Sequence, residues 1–154
     1  MNEAFTISSP VGRLGVSIDN EQLIGLKLNS ESKLSNPATP FGNKVVDQIE
    51  QYFESPSFLF DLPLRQIGTE HQIKVWKALS EIPRGAVLTY GELAKKIGSS
   101  ARAIGNACRN NPHPIVVPCH RIVAASDVGG FSGSQSGELV DIKRSLLRHE
   151  GLGY

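Results

Sequence analysis

Thr89-Tyr90-Gly91-Glu92-Leu93-Ala94-Lys95-Lys96-Ile97-Gly98-Ser99-Ser100-Ala101-Arg102-Ala103-Ile104-Gly105-Asn106-Ala107-Cys108-Arg109 holds start and stop signals for two helices in one short run. Thr89 to Glu92 has capping-box spacing, in which the threonine hydroxyl takes the N3 amide and the N3 glutamate reaches back to the threonine amide. Leu93, Ala94 and Ile97 follow at helical spacing, and Gly98 stands where a left-handed cap ends a helix. Ser99 or Ser100 caps a second helix from Ala101 to about Arg109, which Asn110-Asn111-Pro112 stops. Two short helices joined by a tight glycine-containing turn predict a helix-turn-helix.

Upstream, Thr69-Glu70-His71-Gln72 is another capping box, and Ile73, Trp76 and Leu79 follow at helical spacing until Pro83-Arg84-Gly85 breaks the helix. Before it the texture is strand-like. Phe5-Thr6-Ile7-Ser8 and Leu14 to Ile18 alternate, Pro10-Val11-Gly12 and Asp19-Asn20 are turns, and Leu23 to Leu28 closes a small antiparallel meander. A polar loop from Asn29 to Pro40 precedes an amphipathic helix from about Asn43 to Phe53, with Val45, Val46, Ile49 and Phe53 on one side. Residues 55–67 read as a linker with an extended piece. The expected class is α+β, with a small N-terminal antiparallel β-sheet domain carrying a helix (1–67) and a mostly helical domain after it (68–154).

A chain of 154 residues, 40% hydrophobic, can bury a substantial core as one domain or two small ones. No apolar run approaches the roughly 18 residues that cross a membrane. Met1-Asn2-Glu3-Ala4 lacks the basic and then apolar layout of a signal peptide, so a cytoplasmic protein is expected. Cys108 and Cys119 are too few for a disulfide framework. With His113 and His120 they crowd into thirteen residues without paired C-x-x-C spacing, so no metal is expected, and no cofactor signature is present. The net charge of +1 conceals polarity: residues 1–67 hold five Lys or Arg against eight Asp or Glu, and residues 68–154 hold eleven against seven. From Lys74 to Arg121 eight basic residues face only Glu81 and Glu92, which suits either a surface for polyanions or an ordinary solvated face.

On the Ala101–Arg109 helix, Arg102, Asn106 and Arg109 recur at i, i+4 and i+7 as a polar stripe, while Ile104 and Cys108 share an apolar one. Ala101, Ala103, Gly105 and Ala107 are small enough to let the backbone approach a nucleic-acid groove, or to pack tightly on a neighbouring helix. Few long polar side chains are available for base edges, so binding indifferent to sequence is expected. Cys108, on the apolar stripe, reads as a buried inert thiol.

Asn111-Pro112-His113-Pro114-Ile115-Val116-Val117-Pro118-Cys119-His120-Arg121 sets a thiol, an imidazole and a guanidinium in succession on a proline-stiffened segment. A base and a cation beside a thiol favour the nucleophilic thiolate; a core cysteine beside a chance histidine is the other reading. Pro118-Cys119-His120-Arg121, preceded by Asn111-Pro112 and an apolar run, resembles the acceptor motif of the O6-alkylguanine-DNA alkyltransferase family. The similarity extends through Gly68-Thr69, Val75 to Leu79, Ile82-Pro83-Arg84-Gly85, Thr89 to Ala94, Ala101 to Gly105, Gly130-Phe131-Ser132-Gly133 and Leu146 to Gly151. It covers nearly all of residues 68–154, and before them Ser9-Pro10-Val11-Gly12 is similar to the opening of many members.

The resemblance implies a ribonuclease-H-like supporting domain followed by a winged-helix-like helix-turn-helix domain. It implies a monomer that acts on double-stranded DNA containing alkylated guanine, with O4-alkylthymine as a second lesion. The damaged nucleotide is flipped out of the helix into a pocket. By resemblance Cys119 is the acceptor, His120 the base that takes its proton through a water, Glu150 the carboxylate that orients the imidazole, and Asn111 the brace of the turn. Tyr90 helps rotate the nucleotide and assists the departing base, Arg102 fills the gap in the stack, and Ser132 lies near O6. Ala101, Asn106, Arg109, Arg121, Phe131 and Gly133 complete the expected DNA and pocket surface. The relay is a cysteine version of nucleophile, base and orienter, and a thioether product implies one turnover per molecule. The segment 133–142 is several residues longer than the family usually allows, Ser145 stands where many members have tryptophan, and His71 where many have phenylalanine. A cysteine hydrolase, a plain helix-turn-helix regulator and a lesion-binding relative are the competing classes; the last lacks an acceptor cysteine.

Overall fold

The computed structural model describes residues 2–55, 57–134 and 137–154, and the chain divides into two units, Met1–Gln66 and Ile67–Tyr154. In the first unit, β1 (Asn2–Ser9), β2 (Gly12–Asp19) and β3 (Gln22–Lys27) form an antiparallel sheet in that order. The β2–β3 turn places both Asn20 and Glu21 at positive φ, the backbone of a two-residue hairpin that follows the strand twist. Phe5, Leu14, Val16, Ile18, Leu23 and Leu26 supply the sheet's share of the core.

The helix α1 (Pro40–Glu54) begins three residues before the expected start, because Thr39 accepts from the Gly42 amide and Pro40 fits the first turn. Glu3 holds this start in place by accepting from the Ala38 amide and the Thr39 hydroxyl. Its buried face runs through Val45, Gln48, Ile49 and Tyr52, so the expected stripe through Val46 and Phe53 is displaced by about one residue; both are half-buried. The buried Gln48 amide pairs in both directions with the Asp61 backbone, at 3.0 and 2.8 Å. The extended piece of the 55–66 segment then runs beside β3, where Leu23 donates to the Pro63 carbonyl and Arg65 to the Leu23 carbonyl.

In the second unit α2 (Glu70–Ser80) carries the expected Thr69/Gln72 capping box. Its core face is Val75, Trp76 and Leu79, while Ile73 is 38% exposed. The Trp76 indole N–H donates to the Ala107 carbonyl at 2.9 Å, tying α2 to α4. Here β4 (Leu88–Thr89) leads into α3 (Tyr90–Ile97), which has the Thr89/Glu92 capping box and ends on Gly98 at φ +71. Next comes α4 (Ala101–Arg109), capped by Ser100. A 3-10 turn (Cys119–Arg121) runs into β5 (Ile122–Val123), which pairs in parallel with β4. The last helix, α5 (Glu138–His149), starts after Gly137 with no side-chain cap. The lengthened segment 133–142 includes Gln135 and Ser136, which lie outside the described residues. Among the described residues no helix is long and apolar enough to cross a membrane.

Candidate active site

The site is built on the return from α4. Asn111 donates from its side chain to the Val117 carbonyl at 2.9 Å and accepts from the His113 amide at 3.0 Å, so one amide closes the loop before Cys119. Within that loop Ile115 sits at φ +75, a left-handed conformation that a β-branched residue adopts only when its surroundings impose it, at about 1–3 kcal/mol. Its side chain is buried, as is that of Val117, and this burial supplies the constraint. The chain then enters the 3-10 turn with the Cys119 amide donating to the Val117 carbonyl at 2.8 Å, and Cys119 is 4% exposed.

Behind Cys119 lies a fully buried pair. His120 Nε2 stands 2.7 Å from Glu150 Oε2, and neither side chain is exposed. The acceptor carboxylate fixes the tautomer, with Nε2 donating and Nδ1 left as the basic nitrogen; Nδ1 has no hydrogen-bond partner among the described residues. Glu150 is itself clamped by Arg121, whose Nε and Nη2 donate to its two oxygens at 2.9 and 3.0 Å while Nη1 donates to the Ile82 carbonyl at 2.6 Å. Burial holds the His120 pKa below its ordinary value, and Glu150 opposes the shift. The imidazole is therefore neutral near pH 7, as a proton acceptor must be. Burial likewise raises the Cys119 thiol pKa, opposed by a hydrogen bond from Asn111 and by the charge of Lys143.

Cys119 opens onto a cleft of about 760 Å³. Tyr90, Cys108, Asp127, Gly130 and Phe131 line it, together with the α4 residues Ala101, Arg102, Asn106 and Arg109 and the turn Ser132 to Ser134. That turn is closed by reciprocal bonds between Phe131 and Ser134, with Ser132 and Gly133 both at positive φ. The Tyr90 hydroxyl lies 3.4 Å from the Gly130 carbonyl. Burial, then the nearby sulfurs of Cys108 and Cys119 and the Asp127 carboxylate, push its pKa up to about 12, so it remains a donor. Arg102, Asn106 and Arg109 are exposed along one side of α4, as the spacing predicts.

Arg121 departs from expectation. It is 9% exposed with its guanidinium committed to Glu150 and Ile82, so it buttresses the buried pair and does not belong to a DNA surface. Cys108 is also corrected in position: it is half-buried and lines the cleft, so it is not a core thiol. Lys143 escaped sequence reading altogether. It is 0% exposed, donates to the Gly130 carbonyl at 2.8 Å and holds its ammonium 5.9 Å from the Tyr90 ring centroid. Burial brings its pKa down to about 8, against the pull of Cys119, Cys108 and Asp127. The available signal was a single cation on the apolar stripe of Val140, Leu146 and Leu147.

Comparison with known families places both units. Residues 70–152 match the family model for the DNA binding domain of 6-O-methylguanine DNA methyltransferase, and residues 5–66 match the model for its ribonuclease-like domain. The chain belongs to the 6-O-methylguanine DNA methyltransferase family. Similar relatives within the family include the methylated-DNA–protein-cysteine methyltransferase of Methanosarcina acetivorans, 40% identical with 93% of this chain and 94% of the relative covered. The constitutive methylated-DNA–protein-cysteine methyltransferase of Bacillus subtilis is 34% identical, with 100% and 98% covered. Among solved family structures, the Mycobacterium tuberculosis O6-methylguanine methyltransferase superposes with a TM-score of 0.83 at 36% identity, covering 97% of this chain and 93% of that one. The Mycobacterium tuberculosis OGT in complex with DNA gives 0.79 at 36% identity, covering 96% and 92%.

Proposed function

We propose that this chain repairs DNA by direct reversal, moving the alkyl group of O6-alkylguanine onto its own Cys119, as a methylated-DNA–protein-cysteine methyltransferase. The observation that carries the reading is the placement of Cys119 at a cleft with the buried His120–Glu150 pair, its imidazole neutral, next to it in sequence. Double-stranded DNA lies against α4, where Ala101 and Gly105 let the backbone approach, Asn106 and Arg109 meet phosphates, and Arg102 fills the gap left by the flipped nucleotide. Flipping costs a few kcal/mol, less where a lesion weakens pairing.

In the cleft the Cys119 proton passes through a water to His120 Nδ1, and Glu150 stabilises the imidazolium that forms. The thiolate attacks the alkyl carbon in line: the S–C bond forms, the C–O6 bond breaks, and the guanine leaves with the electron pair, assisted by the Tyr90 hydroxyl. Ser132 lies near O6, Phe131 and Gly133 shape the pocket, and Asn111 keeps the acceptor turn in place. O4-alkylthymine presents the same alkyl–oxygen bond and is a second substrate. The thioether has no good leaving group, so each molecule acts once. We further assign the first unit a supporting role, read α3 and α4 as a helix-turn-helix in a winged-helix-like domain, and place the protein in the cytoplasm as a monomer, where both thiols stay reduced.

Intact-protein mass after incubation with duplex DNA containing O6-methylguanine tests the proposal. A stoichiometric gain of about 14 Da, one methylene, mapped to Cys119, is the expected result. A folded protein with Cys119 free and no gain overturns it.

A further inference from the structure

We propose that Cys108 is a resolving thiol at this cleft and a modification site, closing on Cys119 as an intramolecular disulfide when the acceptor sulfur is oxidised. The effect on repair rests on the reading of Cys119 as acceptor; the disulfide itself does not. Cys108 and Cys119 are the chain's two cysteines, and both line the same cleft, one from α4 and the other from the 3-10 turn. Cys108 feels the charges of Cys119 and Lys143, which puts the two sulfurs and the ammonium in one electrostatic neighbourhood.

The surroundings divide the roles. Burial raises both thiols, and at Cys119 the Asn111 hydrogen bond and the Lys143 charge oppose the rise. Cys108 has the same cation but no such hydrogen bond, and burial pushes its thiol well above the ordinary range. Oxidants attack the thiolate, and Cys119, which has the Asn111 hydrogen bond as well as the cation, reacts first while Cys108 resolves. In the first step the Cys119 thiolate attacks one oxygen of a peroxide: the S–O bond forms, the O–O bond breaks and hydroxide leaves, the sulfur being oxidised and the peroxide reduced. In the second the Cys108 sulfur attacks the sulfenic sulfur: the S–S bond forms, the S–O bond breaks, and the Cys108 proton leaves with the hydroxyl as water. The Lys143 ammonium favours the Cys108 thiolate in this step. A resolving thiol matters because a sulfenic acid left alone proceeds to sulfinic acid, which ordinary thiols do not reduce, whereas a disulfide is reversible.

The test is limited peroxide treatment of the full chain, alkylation of remaining thiols after denaturation, and non-reducing peptide mapping. The expected product is a monomer lighter by about 2 Da, with the Cys108 and Cys119 peptides joined. Methyl acceptance is lost and returns with dithiothreitol. In Cys108→Ser, compared with its own untreated control, lost acceptance does not return and Cys119 is recovered as sulfinic acid. Wild-type Cys119 reaching sulfinic acid while Cys108 remains alkylatable would overturn the proposal, as would a Cys108→Ser variant that recovers as fully as wild type. The joined peptides are read whether or not the protein accepts methyl groups, so failure of the repair reading and failure of this inference are distinguishable.

Discussion

Replacing Glu150 with glutamine probes the site where fold and proposed chemistry share one side chain. The substitution keeps the shape but removes the charge that accepts His120 Nε2 at 2.7 Å and two Arg121 donors at 2.9 and 3.0 Å, all buried. A buried ion pair deprived of one partner costs about 3–5 kcal/mol, because the remaining charge stays desolvated. Whole domains are stable by only about 5–15 kcal/mol, so the midpoint of urea unfolding should fall steeply while part of the population stays folded. The chemical effect follows from His120. With Glu150 neutral, the interaction that opposes burial is lost, the imidazole becomes less basic, and its tautomer is no longer fixed. By comparison with the handling of histidine in serine triads, the single-turnover rate should fall by about 10²- to 10⁴-fold. The two effects are separated by measuring the rate on protein shown to be folded by circular dichroism. Arg121→Met and the double variant complete a cycle. Because Arg121 is there to be neutralised by Glu150, the double variant should recover at least about 1 kcal/mol of the stability that independent effects would forfeit. A Glu150→Gln protein within about 0.5 kcal/mol of wild type and within about twofold in rate would refute the reasoning.

Asn111→Ala removes the amide that spans the acceptor loop; loss of its two bonds should cost about 1–3 kcal/mol in thermal unfolding and slow transfer, with the strained Ile115 free to relax. Lys143 carries a pH signature. Its folded pKa of about 8 lies below the ordinary 10.5, so between these values the unfolded chain binds the extra proton and the Lys143 contribution to stability rises with pH. The rise has a ceiling of about 3 kcal/mol, and urea unfolding across this window should show it as the difference between wild type and Lys143→Met, because the raised Cys108, Cys119 and Tyr90 groups pull stability down with pH in both. Arg102→Ala should slow transfer from duplex DNA by about tenfold or more yet leave the reaction with the free O6-methylguanine base within about twofold, since only the duplex leaves a gap to fill; equal losses on both would remove the proposed role.

The elements most legible in the sequence were those with chemical start and stop signals. The Thr69/Gln72 and Thr89/Glu92 boxes and the Gly98 cap are local interactions, so residue identity alone placed α2 and α3. Helix α1 began early because its start depends on Glu3, distant in sequence, and α5 has Gly137 at its cap position and no side-chain signal. The two-residue strands β4 and β5 are too short for alternation to register. In the site, the Pro118–Arg121 motif pointed to a thiol, a base and a cation together. It could not reveal that Arg121 turns inward, because that outcome depends on Glu150 arriving from the end of α5. Cys108 and Lys143 were missed for a related reason: both occupy apolar stripes, and only the packing of α4 and α5 brings Cys108 to the cleft and Lys143 onto the Gly130 carbonyl at its wall.

The chain has a single tryptophan, and the bond from Trp76 to the Ala107 carbonyl makes it an optical gauge of the helix proposed to meet DNA. Indole emission responds to the polarity around the ring and to the partner of its N–H. Any displacement of α4 during nucleotide flipping or after alkyl transfer therefore alters the intrinsic fluorescence. Both events can be followed in real time on unlabelled protein, with no second tryptophan contributing to the signal.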